Sequence, residues 1–224
     1  FEINVSNEFH FFTPSDSVQD VTLFAKYTLR ADEMFLNRMI GGTFEGSNDP
    51  DFREKEVLYL INEKPKRLQT VVQSYSSKSY RYVRYIGPKD SHCNIAEAAF
   101  YTPNDTASLK GKVIGTPGCF QKDGSHEYTN VFDGDVTTSF DYIEPSGGWS
   151  GLDLGTPKQI GRIVYTPRSY DNYIRSGDDY ELFYCARRNN WKSLGDQRSK
   201  ADSLIYIKIP VNALLLLCNN TRGI

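Results

Sequence analysis

The sequence predicts an all-β protein made of two β-sandwiches in tandem. Aromatic residues account for 13% of the 224 residues. They fall in short apolar runs bounded by Gly, Pro, Asn and Asp, a pattern typical of strands and turns. Helical periodicity is confined to one possible turn, Met34 to Met39. A chain of this length has room for two small domains, each with its own core.

An internal repeat divides the chain. Three elements recur in the same order, each an apolar strand with its turn: 13–24 and 156–165, 40–52 and 177–191, and 80–86 and 212–218. Two copies of one strand order predict domains 1–103 and 104–224, with the boundary at the turn-rich Pro103-Asn104-Asp105. A jelly roll is the expected closure of each sandwich.

Charge and hydropathy limit the partners. The chain has 26 Lys and Arg against 28 Asp and Glu, a formal net charge of −2, so no basic field is present to hold a nucleic acid. The longest strongly apolar run, 213–218, is too short to span a bilayer, so we expect no membrane insertion. The first residues do not resemble a signal peptide, and we expect a soluble, trimmed or excerpted chain.

Cysteines and catalytic motifs argue against an enzyme. The four cysteines form no CxxC pair and no zinc spacing with histidine, and we favour buried free thiols over a disulfide: Cys93, Cys119, Cys185 and Cys218. No GxSxG, HExxH, GxGxxG or P-loop motif occurs. A carboxylate pair such as Asp133 and Asp141 needs no local motif, so an enzyme stays open as an alternative.

Three segments carry a family resemblance: NVFDGDVTTSF at 130–140, GGWSGLDLG at 147–155 and IVYTPR at 163–168. In this order and spacing they resemble the discoidin family, also called coagulation factor V/VIII type C domains, which includes galactose-binding carbohydrate modules. Segments 44–49, 82–85 and 94–101 resemble the later half of the same family. The resemblance implies galactose-binding-like jelly rolls in a secreted or bacterial cell-surface protein, as in Bacteroidetes, beside an attached or neighbouring enzyme domain.

The DGD loop suits a cation. Asp133 and Asp135 flank a glycine, and Thr137 and Thr138 follow, so several hard oxygen atoms lie in one turn, as Ca²⁺ prefers. The resemblance implies a structural calcium ion with Asp133, Asp135 and Thr138 as ligands and a late Glu to complete the shell. That Glu would lie in a strand that the second copy lacks. The alternative is an Asx-turn in which Asp133 accepts backbone N–H groups and no ion binds.

The loop after IVYTP carries the candidate sugar contacts. The resemblance implies that Arg168 and Asn172 bond sugar hydroxyls, because a guanidinium fork suits vicinal oxygens. Asp141 and Tyr142 stand where the family places further contacts. The alternative is an exposed ion pair of Arg168 with Asp171 or Asp178.

The expected function is therefore non-catalytic binding of a carbohydrate. The alternative is a structural or protein-interaction sandwich without a sugar ligand. Two aromatic residues in the motifs, Trp149 and Tyr165, are expected in the core rather than as sugar platforms.

Overall fold

The computed structural model describes residues 14–26, 30–65, 69–169, 172–187 and 190–223, with the side chains of 30–33 and 187 left aside. The described residues are mostly antiparallel strands with a single α-helix, which confirms the all-β prediction. The helix, α1, spans Arg30–Asn37 and so begins before the turn expected from the sequence. No helix within these ranges is long and apolar enough to cross a membrane.

The strands follow one another along the chain, joined by connections of different lengths. They are β1 (Val18–Leu23), β2 (Thr43–Ser47), β3 (Lys55–Leu60), β4 (Thr70–Gln73), β5 (Ser79–Ile86), β6 (Ile95–Tyr101), β7 (Lys112–Gly115), β8 (Trp149–Gln159), β9 (Arg162–Pro167), β10 (Asp179–Arg187), β11 (Asn190–Arg198), β12 (Leu204–Pro210) and β13 (Leu215–Asn219). Two short 3-10 helices, Phe120–Lys122 and Tyr128–Phe132, lie between β7 and β8.

The chain folds as two compact units, and the sequence of one is inserted into the sequence of the other. Residues 30–171 form the inserted unit, and the described residues on either side of them form the terminal unit. This division differs from the expected boundary between 103 and 104. Strands from both sides of that point pair with each other, as β5 with β8 and β6 with β9. The repeated elements share turn residues and strand character, which any antiparallel pair provides, without marking separate domains.

The inserted unit is a β-sandwich. One sheet has five strands in the order β3-β2-β5-β8-β7, and the other has three in the order β4-β9-β6. Alternate side chains point between the sheets, where Phe44 lies with its ring centroid 6.0 Å from Phe100 and 5.3 Å from Tyr165 of the opposite sheet. Tyr165 is buried as expected, whereas Trp149 is half-buried and packs on Phe52 outside this core.

The terminal unit has its own smaller core. Strand β1 pairs with β12, and β10 lies between β11 and β13 in a second sheet. The buried apolar side chains of this core are Ile174, Tyr180, Leu182, Leu204, Tyr206 and Ile209.

All four cysteines are free thiols; Cys93 and Cys119 are buried, and Cys185 and Cys218 are half-buried.

Candidate functional site

Arg168 and Asp141 form a buried ion pair at one end of the inserted unit. Arg168 follows strand β9, and its Nη1 donates to Asp141 Oδ2. Only 11% and 10% of the two side chains are exposed. The expected solvent-facing position of Arg168 is therefore corrected: the guanidinium is turned inward, onto a carboxylate 27 residues earlier. Of the two expected partners, Asp178 instead accepts from Arg222 at 2.7 Å, and Asp171 lies outside the described residues.

A polar network extends from this pair to Arg38. Asn94 Nδ2 donates to Asp141 Oδ1 at 2.6 Å, and Arg38 Nη1 donates to Asn94 Oδ1 at 2.6 Å. The guanidinium carbon of Arg168 lies 5.0 Å from the ring centroid of Phe35 on α1. Each Asp141 oxygen thus has a donor. No local pattern points to Arg38, because its partner Asn94 is 56 residues away in sequence.

The loop before β6 is strained and firmly held. Asp90, His92 and Cys93 all have left-handed backbones, with φ of 60°, 55° and 54°. Such conformations cost about 1–3 kcal/mol each in residues other than glycine and persist where the surroundings fix them. Here Ser91 Oγ accepts from the Cys93 N–H at 3.2 Å, and the Tyr142 N–H donates to His92 O at 2.7 Å. Tyr142 therefore supports this loop through its backbone.

A cavity of about 520 Å³ lies between this loop and the end of α1. Its lining combines apolar and polar groups: Met34, Ile40 and Pro88, with Asn37, Arg38, Lys89, Asp90 and Ser91. We call it the Arg38 pocket. Its volume is in the range of small-ligand sites. Arg38 belongs both to the lining and to the buried network. The predicted sugar residues Arg168 and Asp141 do not line the pocket, and they connect to it through Asn94 and Arg38.

Asn172 belongs to the terminal unit, whereas Arg168 belongs to the inserted one. The residue is fully buried, and its backbone oxygen accepts from the Lys26 N–H at 2.7 Å. An exposed role of its side chain as a sugar contact does not fit this burial.

The DGD loop closes on itself through its own side chains. Asp133 Oδ1 accepts from the Asp135 N–H at 2.7 Å, and its Oδ2 accepts from Thr138 Oγ1 at 2.8 Å. Asp135 Oδ1 accepts from Thr137 Oγ1 at 2.7 Å. These bonds are the Asx-turn geometry expected as the alternative to a metal site.

Glu97 of β6 joins this loop from outside. Its Oε1 accepts from the Gly134 N–H at 2.8 Å, which brings its carboxyl group near that of Asp133. Burial, followed by the neighbouring Asp133 carboxylate, raises the pKa of Glu97 to about 8. The Glu97 carboxyl group is therefore largely protonated at neutral pH. An acidic side chain of β6, 37 residues before Gly134 in the sequence, thus contacts the DGD loop.

These oxygens suit a hard cation in composition. The carboxylates of Asp133, Asp135 and Glu97 and the Thr138 hydroxyl lie at one turn, and a Ca²⁺ ion bound there would offset two of the three negative charges of the ionised carboxylates. Among the described residues, however, no group of three or more His, Cys, Asp or Glu side chains is already arranged around a metal position. The calcium site remains a prediction.

Comparison of the chain with protein-family models, curated proteins and solved structures finds no match. The discoidin resemblance stays an expectation, and the function is inferred from the geometry of these sites.

Proposed function

We propose that the inserted unit is a non-catalytic carbohydrate-binding module whose sugar site is the Arg38 pocket. The observation that carries this proposal is the position of Arg38, which lines the pocket while Asn94 holds one of its nitrogens. A guanidinium restrained in this way offers its other N–H donors in a fixed fork, and such a fork matches neighbouring hydroxyl groups of a sugar.

The rest of the lining combines apolar and polar side chains, and a sugar ring likewise combines C–H groups and hydroxyls. Asp90 and Asn37 supply oxygen acceptors for hydroxyls, and Met34 and Ile40 supply apolar surface for the C–H face. The Asp90 N–H donates to Ser146 Oγ at 3.0 Å, so the backbone that carries this carboxylate is held before a ligand binds.

The proposal is of binding rather than catalysis because Asp90 is the one carboxylate among the described lining residues, whereas glycoside hydrolysis uses two. Asp141, one half of the conceivable catalytic pair, is occupied by Arg168 and Asn94. Glu97, whose pKa is raised towards neutrality, is not among the residues that line the Arg38 pocket. A shallow site of this kind implies weak affinity, on the order of 0.1–1 mM.

We further infer that the inserted unit is one discoidin-like jelly roll in permuted order. All six segments of the resemblance fall inside 30–171, with the later half of the motif order first. In this order Glu97, which accepts from the Gly134 N–H of the DGD loop, is the candidate for the late calcium ligand that the second copy lacks. A secreted or cell-surface setting beside an enzyme domain is part of the same proposal.

Affinity gel electrophoresis tests the sugar site. Wild-type protein is run through gels containing galactan, arabinogalactan, xyloglucan or pectin, beside the variants Arg38→Ala and Arg53→Ala. Arg53 is an exposed arginine that pairs with Asp49 outside the pocket and serves as the matched control. Loss of a charge-assisted hydrogen bond predicts about ten- to a hundredfold weaker retention for Arg38→Ala. The control Arg53→Ala should be retained as strongly as the wild type.

The outcomes separate the alternatives. Unchanged retention of Arg38→Ala would remove the Arg38 pocket as the site. If the gels do not retain the wild type and a glycan array shows no binding either, a structural or protein-interaction module would be favoured. Thermal melts of all proteins establish that each variant is folded.

A further inference from the structure

We propose a second sugar-contact site on the side of the inserted unit, at the aromatic pair of Tyr59 and Tyr75. This inference deepens the proposed function and rests on it. The two ring centroids lie 5.3 Å apart, and the ring planes are tilted by 45°. Tyr75 is 63% exposed, so its ring is accessible to a ligand from solvent.

The pair lies where an edge strand of one sheet meets an edge strand of the other. Tyr59 lies on β3, the edge of the five-stranded sheet, and Tyr75 follows β4, the edge of the three-stranded sheet. The Tyr75 N–H donates to Leu58 O at 2.7 Å and links the two edges. Tyrosine has few rotatable bonds, so a platform anchored in this way loses little entropy when a ligand stacks on it.

A cavity of about 280 Å³ adjoins Tyr59. Its apolar lining is Pro65, Val71 and Tyr165, and its polar lining is Glu63, Lys64, Gln69 and Thr70. Glu63 and Gln69 are exposed, so a carboxylate and an amide stand at the rim of the cavity, where they can bond a polar ligand. A pyranose ring presents C–H groups on one face and hydroxyls at its rim, and it therefore matches aromatic rings bordered by hydrogen-bonding groups.

The Tyr59 hydroxyl can act as a hydrogen-bond donor. Burial, together with the nearby Tyr75 hydroxyl and the Glu63 carboxylate, raises the pKa of Tyr59. A tyrosine hydroxyl is protonated at neutral pH even without this shift, so Tyr59 can donate to a sugar oxygen, while Glu63 can accept from a hydroxyl.

Exposed side chains allow a clean test by affinity electrophoresis through the same four polysaccharides. Tyr75→Ala removes the outer ring, Tyr75→Phe keeps it, and Val57→Ala removes exposed apolar surface on β3 outside the cavity lining. We expect Tyr75→Ala to bind about three- to tenfold more weakly to any polysaccharide that the wild type retains. Tyr75→Phe should stay within about twofold of wild type, and Val57→Ala should be unchanged.

Arg38→Ala in the same gels separates this inference from the proposed function. If Arg38→Ala loses retention while Tyr75→Ala behaves as wild type, the Arg38 pocket stands and the aromatic site is overturned. If Tyr75→Ala loses retention while Arg38→Ala does not, the aromatic pair is the sugar site and the pocket is not. A wild type that no polysaccharide retards would overturn both.

Discussion

The carboxyl pair of Glu97 and Asp133 predicts that the stability of the inserted unit falls as pH rises. The pKa of Glu97 is raised in the folded protein, from an ordinary 4.5 to about 8. The folded state therefore holds this proton more tightly than the unfolded chain does. The stabilisation is complete below about pH 4.5 and is lost progressively as pH rises to about 8.

The magnitude follows from that difference. A tenfold change in a proton equilibrium corresponds to about 1.4 kcal/mol, so a rise from 4.5 to about 8 sets a ceiling of about 5 kcal/mol. Glu97 is only partly buried, and solvent screening reduces the expected effect to about 1–2 kcal/mol.

The variant Glu97→Gln isolates this effect. The amide keeps the shape of the side chain, its oxygen can still accept from the Gly134 N–H, and its NH₂ group can donate to Asp133. In EDTA we expect the variant to be about 1–2 kcal/mol more stable than wild type at pH 8 and nearly equal to it at pH 4.5. Glu144→Gln, a change at an exposed glutamate, is the matched control.

Urea unfolding followed by tryptophan fluorescence measures these differences. Of the two tryptophans, Trp149 lies in the inserted unit, so a Trp191→Phe background reports on that unit alone. Added Ca²⁺ should stabilise the wild type at pH 8 by about 2.7 kcal/mol at a hundred times its Kd, and Glu97→Gln should lose this increment. Wild-type stability that is flat between pH 5 and 8 in EDTA, or an equal slope in Glu97→Gln, would refute the reasoning.

Three further substitutions test the packing, each by urea unfolding. Arg168→Ala leaves the buried Asp141 carboxylate without its ion partner and should cost about 3–5 kcal/mol; a cost below about 1 kcal/mol would indicate an exposed pair. Phe44→Ala empties the centre of the sandwich and should also cost about 3–5 kcal/mol, whereas a small loss would place that ring outside the core. Gly151→Ala would put a methyl group 2.2 Å from Val83 O and should force β5 and β8 apart; a variant with the wild-type midpoint would contradict this close approach.

Local patterns in the sequence were sufficient for the strands and for the DGD turn. Alternating apolar residues between turn residues specify strands because successive side chains point to opposite faces. The bonds of Asp133 to Asp135 and Thr138 join residues at most five positions apart, so the sequence alone could predict them.

Only the tertiary structure decided which strands share a sheet and which side chains meet. The side-chain period of a strand identifies its buried face but not its partner, which packing between distant segments selects. Glu97 therefore reaches Gly134 across 37 residues, Arg38 reaches Asn94 across 56, and strands on both sides of position 103 build one sandwich. The sequence by itself determined an all-β chain with a closed acidic turn. The division into units and the Arg38 pocket depend on contacts between segments far apart in the chain, which local periodicity does not encode.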